Sequence, residues 1–83
     1  MDKEPFKTIE DILTDEIGPM ATFIMKEQMN AADVDHINPN ERSLLRMVDL
    51  INRRCLVKLL PPKKARELTS KLREVVKKND YAE

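Results

Sequence analysis

The chain has 83 residues, 41% apolar and 36% charged, with one Gly, two Phe, one Tyr and one cysteine. That allows one domain with one modest core and excludes an internal disulfide. No stretch reaches the roughly 18 uninterrupted apolar residues of a membrane span, and no basic-then-apolar leader opens the chain, so a cytoplasmic protein outside the membrane is expected. The zero net charge hides a sorting by half. Residues 1–41 hold ten acids against three bases, a net of −7, and residues 42–83 hold twelve bases against five acids, a net of +7. Such a dipole raises two readings: a polyanionic partner, or halves that neutralise each other within one fold or across a dimer.

Residues 1–7 are expected to be flexible. Thr8 then reads as a helix cap with Asp11 at the third helical position. Ile9, Ile12, Leu13 and Ile17 follow at helical spacing, which predicts a helix over 8–17. Gly18-Pro19 ends it, because Gly tolerates the left-handed stop and Pro cannot continue the ladder; Pro19 also suits the start of the next helix. That second helix is predicted over 19–32, with Met20, Phe23, Ile24 and Ala31 as its core stripe. Met25 and Met29 lie about half a turn away, either as a surface that adapts to a partner helix or as part of a wide core face. Residues 33–38 read as a loop, and Asn38-Pro39-Asn40-Glu41 as a helix start with Asn38 as cap.

The third helix is predicted over about 39–60. Leu44, Val48, Ile51 and Cys55 fall within about 60° of one another at 3.6 residues per turn. Met47, Leu56 and Leu59 widen that stripe, while Leu50 and Val57 fall on the opposite side beside Arg46 and Arg53. A helix apolar nearly all round is buried nearly all round, so either it is central to the fold or its second face meets another chain. Met25, Met29, Leu50 and Val57 are therefore the candidate partner interface, with a homodimer as the expected assembly. Pro61-Pro62 breaks the chain, and Ala65, Leu68, Leu72, Val75 and Val76 predict a fourth helix over 62–78, followed by a flexible tail at 79–83. No repeat, low-complexity tract or linker divides the chain. The expected fold is all-α, one domain over 1–83, a compact bundle of about four helices with the third at its centre.

Ile17-Gly18-Pro19-Met20-Ala21, preceded by Ile9 and Ile12-Leu13, resembles a short helical module with an I-G-P-[aliphatic]-A signature. Such modules occur beside serine/threonine kinase, response-regulator or small regulatory domains in prokaryotic signalling proteins. The resemblance implies a non-enzymatic regulatory or interaction module and brings no catalytic residues with it.

The fourth helix is the nucleic-acid candidate. Lys64, Arg66, Lys71, Arg73, Lys77 and Lys78 could neutralise phosphates, with binding that weakens in salt. Against this, Arg66, Arg73 and Lys77 form one stripe and Lys64, Lys71 and Lys78 another, with Glu67 and Glu74 between. Glu67–Lys71 and Glu74–Lys78 are favourable i,i+4 pairs worth about 0.2–0.5 kcal/mol each, the pattern of a solvated face. No aromatic residue lies among the bases to stack on nucleotides. His36, in Asp33-Val34-Asp35-His36, lacks the Gly and ligand spacing of a calcium loop and the companions of a zinc site. Cys55 sits on the apolar stripe and reads as a small buried hydrophobe. Asp11, Asp15 and Glu16 read as surface charge, and a single Gly builds no phosphate loop. No catalytic, cofactor or metal residue is expected. The sequence thus points to a non-enzymatic, self-associating protein-interaction or regulatory module, with a small nucleic-acid-binding protein as the alternative, and it names neither partner nor process.

Overall fold

The breaks in this chain follow from backbone chemistry at a few residues. The computed structural model describes residues 5–35 and 39–78; residues 1–4 of the stretch 1–7 expected to be flexible, the tail 79–83, and His36 and Asn38 lie outside them, whereas residues 5–7 are not a flexible stretch but the first turn of a helix. Helix α1 covers Pro5–Ile17. Pro opens it because the first helical N–H has no partner to lose, so Thr8 lies inside the helix rather than capping it. Gly18 then takes φ +76° and its N–H donates to the Thr14 carbonyl at 2.9 Å, a left-handed stop that a side chain would strain.

Pro19, at φ −62°, precedes helix α2 over Met20–Ala31. At its other end Asp33 occupies the left-handed region at φ +58°. There the Val34 N–H reaches back to the Met29 carbonyl at 3.0 Å, a closure in which Asp stands where Gly is usual. Helix α3 begins at Glu41, and its cap is Asn40, not Asn38: Asn40 is extended, and its side chain accepts from the Ser43 N–H at 2.8 Å. The cap thus sits one residue before the helix, where its oxygen meets the third free amide. Helix α3 runs as Glu41–Ile51, a π-helical turn Asn52–Leu56 and a last α turn Val57–Leu59. Leu60 is extended ahead of Pro61, as the residue before a proline prefers. Helix α4 covers Pro62–Lys78.

The helices form a ring: α1 packs on α2 and α4, and α3 packs on the same two. Helix α3 is therefore one wall of an all-α bundle rather than its centre, and one of its faces is left open. No strand occurs among the described residues. The core is Ile9 and Leu13 from α1, Leu44, Met47, Val48, Ile51 and Leu56 from α3, and Ala65, Leu68, Leu72 and Val76 from α4, closed by the inner face of α2. Glu16, near the end of α1, pairs with Lys64, in the first turn of α4, at 3.8 Å. The Gly18-Pro19 and Leu60-Pro61 turns consequently lie at the same end of the bundle.

A Cβ added at Gly18 would meet nothing within 4 Å, so Gly18→Ala isolates the backbone cost of positive φ. We expect a loss of about 1 kcal/mol. In a domain of this size that is a fall in Tm of about 4–8 °C, measured by thermal circular dichroism. An unchanged Tm would mean that the α1–α2 turn does not need the left-handed residue.

Candidate functional site

Within α3 the buried positions are Leu44, Met47, Val48, Ile51 and then Leu56. Ordinary α spacing after Ile51 would call on Cys55. The π turn, in which the Val57 N–H donates to the Asn52 carbonyl, takes up one extra residue and turns everything after it back by about 100°. Leu56 enters the core and Cys55, expected to be buried, is left half-buried. Burial nevertheless raises the Cys55 thiol pKa, with the nearby Glu27 carboxylate adding to the rise and Lys58 and Arg54 opposing it. The same shift parts Leu50 from Val57. Leu50 packs against the core, whereas Val57 is exposed, so the two do not share one interface face.

Helix α2 is rotated from its sequence reading. Ala21, Ile24, Met25, Gln28 and Met29 are buried, so Met25 and Met29 belong to the core and not to a free surface. Gln28, 3% exposed, sits in that face, where the Arg54 Nη1 donates to its Oε1 at a long 3.4 Å. The displaced residues are Met20 and Phe23, 49% and 64% exposed; among the described residues the other large apolar side chains in the open are Val57 at 52% and Leu59 at 45%. All four lie within about one helical turn of the Gly18-Pro19 or Leu60-Pro61 turn, at one end of the bundle. Pro19, Pro61 and Pro62 are exposed there as well.

Beside this end, α3 and α4 flank an open cleft of about 430 Å³. Asn52 and Val57 come from the π turn and its exit, and Arg66, Ser70 and Arg73 from α4. Arg73 lies 4.0 Å from Asp49, which also pairs with Arg53 at 3.3 Å. The sequence-picked bases therefore divide. Arg66 and Arg73 line the cleft, while Lys64 and Lys71 line a smaller hollow of about 240 Å³ with Glu16 and Glu67. Lys77 and Lys78 are exposed in the last turn of α4. The alternation along α4 sets Arg66 and Arg73 apart from Lys64 and Lys71, as the two hollows do, but nothing in the sequence pairs Arg66 and Arg73 with Asn52. Likewise, no local signal marks Met20 and Phe23 as exposed.

No family model, curated protein or solved structure matches this chain.

The π register is directly testable. Leu56→Ala should cost about 2–5 kcal/mol by opening a core cavity. Cys55→Ala, at a half-buried site, should cost under about 1.5 kcal/mol. Urea unfolding of the two variants measures both, and the reverse order would mean that α3 continues as an ordinary α-helix.

Proposed function

We propose that this chain is a non-enzymatic protein-interaction module that self-associates through the end of the bundle carrying Met20, Phe23, Val57 and Leu59. The observation that carries the reading is their placement: among the described residues, the large apolar side chains left in the open lie toward one end of a charge-rich molecule. Single exposed apolar residues need no explanation, but a grouped set rimmed by charge is the mark of an interaction surface. A second copy suits it. Asp15 stands near the end of α1 on one side of this end, and Lys58 and Lys63 flank the other turn. A two-fold arrangement sets the same patch on itself and can bring the acidic margin of one copy onto the basic margin of the other. The resemblance of residues 17–21 to a regulatory helical module points the same way.

A Phe23→Glu plus Leu59→Lys variant tests this reading. Both side chains are exposed, so the fold should hold, while charge at both positions penalises an apolar contact. Sedimentation equilibrium should show a dimer of the unmodified chain at high micromolar concentration and a monomer of the variant, with equal helical content by circular dichroism. A monomeric unmodified chain would remove the self-association.

The alternative, a small nucleic-acid-binding protein, has one observation in its favour: Arg66, Arg73 and Lys77 share a flank of α4, within about 60° by helical geometry. The Lys64–Glu16 pair weighs against it, since that charge is already partly matched, as do Glu67 and Glu74 between the two basic stripes. On this alternative a low-salt gel should show retarded nucleic acid, and Lys71→Glu plus Arg73→Glu should abolish the shift. No retardation by the unmodified chain would end it.

A further inference from the structure

We propose that the cleft between the π turn and α4 binds a small organic phosphate, with the phosphate between Arg66 and Arg73 and the less polar body against Val57, Pro62 and Ala65. Its volume of about 430 Å³ lies within the range of small-molecule sites, roughly 300–1,000 Å³. The lining is divided. Val57, Pro62 and Ala65 lie toward the end of the bundle, and Asn52, Arg66, Ser70 and Arg73 supply hydrogen-bonding groups. Arg66 and Arg73 are two turns apart, about 10 Å along the axis, with Ser70 between them. Their side chains are long enough to converge on one group, and a guanidinium fork matches phosphate oxygens two at a time.

The charge balance favours an anion. No carboxylate lines the cleft, and the nearest one placed by an ion pair, Asp49, is shared between Arg53 and Arg73. A phosphate taking the Arg73 guanidinium replaces a 4.0 Å contact and leaves Asp49 its shorter one to Arg53 at 3.3 Å. The donors are also sorted. The Thr69 hydroxyl already donates to the Ala65 carbonyl at 2.8 Å, which leaves the Ser70 hydroxyl and the Asn52 amide to face the ligand. The π turn makes this wall, because its i→i+5 closure sets Asn52 and Val57 one above the other.

Titration followed by amide and arginine side-chain NMR tests the site, with adenosine monophosphate, inorganic phosphate, adenosine and an oligothymidylate as probes. Expected are saturable shifts centred on Asn52, Val57, Ser70 and the two arginines with adenosine monophosphate. Inorganic phosphate should bind about tenfold more weakly, and Arg66→Gln and Arg73→Gln should each weaken the monophosphate about tenfold with the remaining spectrum unchanged. No saturable shift at about 10 mM probe would overturn the site. So would adenosine binding as well as its monophosphate, which would make the arginines irrelevant. Equal binding of inorganic phosphate would overturn the organic body. Tighter binding of the oligothymidylate, with shifts spread over Lys63, Lys77 and Lys78, would replace the site with a polyanion surface.

Discussion

Helix α3 keeps Leu44, Met47, Val48 and Ile51 in the core at ordinary spacing, then reaches Leu56 through one i→i+5 turn. That five-residue step decides more of the molecule than any other local feature. It puts a leucine instead of a cysteine into the core, which buries more apolar surface at the same position. It carries Arg54, whose Nη1 donates to the Oε1 of the buried Gln28 on α2, as a buried amide oxygen requires. On the other side of the same helix it leaves Val57 outside and sets Asn52 beside α4. Core and cleft both depend on one inserted residue.

The sorted charges have less hold on the fold than their totals suggest. Lys64–Glu16 joins the halves, but Arg53–Asp49 and Arg73–Asp49 are pairs within the basic half. These side chains are 30–70% exposed, and pairs of that kind contribute about 0–1 kcal/mol each and weaken with salt. Apolar packing holds the bundle. The charge sorting is therefore available to govern what approaches the surface, since it sets a long-range field more than a contact energy.

The sequence was legible wherever chemistry is local. Gly18-Pro19 and Pro61-Pro62 mark real ends because positive φ and a missing N–H act within a residue or two. The stripes of α1 and α4 hold because their apolar residues keep one period. Two helices were harder. In α2 the polar Gln28 lies in the middle of the inner face, so the apparent stripe slid toward Met20 and Phe23, although Ala21, Met25 and Met29 carried the true one. In α3 nothing in the composition of Asn52–Leu56 announces a π turn, and a wheel drawn at constant pitch centres Cys55 in the core stripe, leaves Leu56 at its edge and counts the exposed Leu59 as part of it. Asn38 and Asn40 are both competent caps, and geometry alone selects the second. The cleft was not legible at all, because it joins residues of α3 and α4 that become neighbours only when the helices pack.

Val57 ties the two proposed surfaces together. It is one of the exposed apolar residues at the bundle end and also part of the cleft wall. A ligand body resting on Val57 covers area that a second copy would otherwise bury, and a second copy seated there narrows the way into the cleft. Two ligands that need the same side chain oppose each other, and by linkage each weakens the other by the same factor. The interference requires no movement of the bundle, because it arises from shared surface. Where both sites operate, organic phosphate favours the monomer and self-association favours an empty cleft. The inserted residue in α3 is what brings the two proposed surfaces together at one side chain.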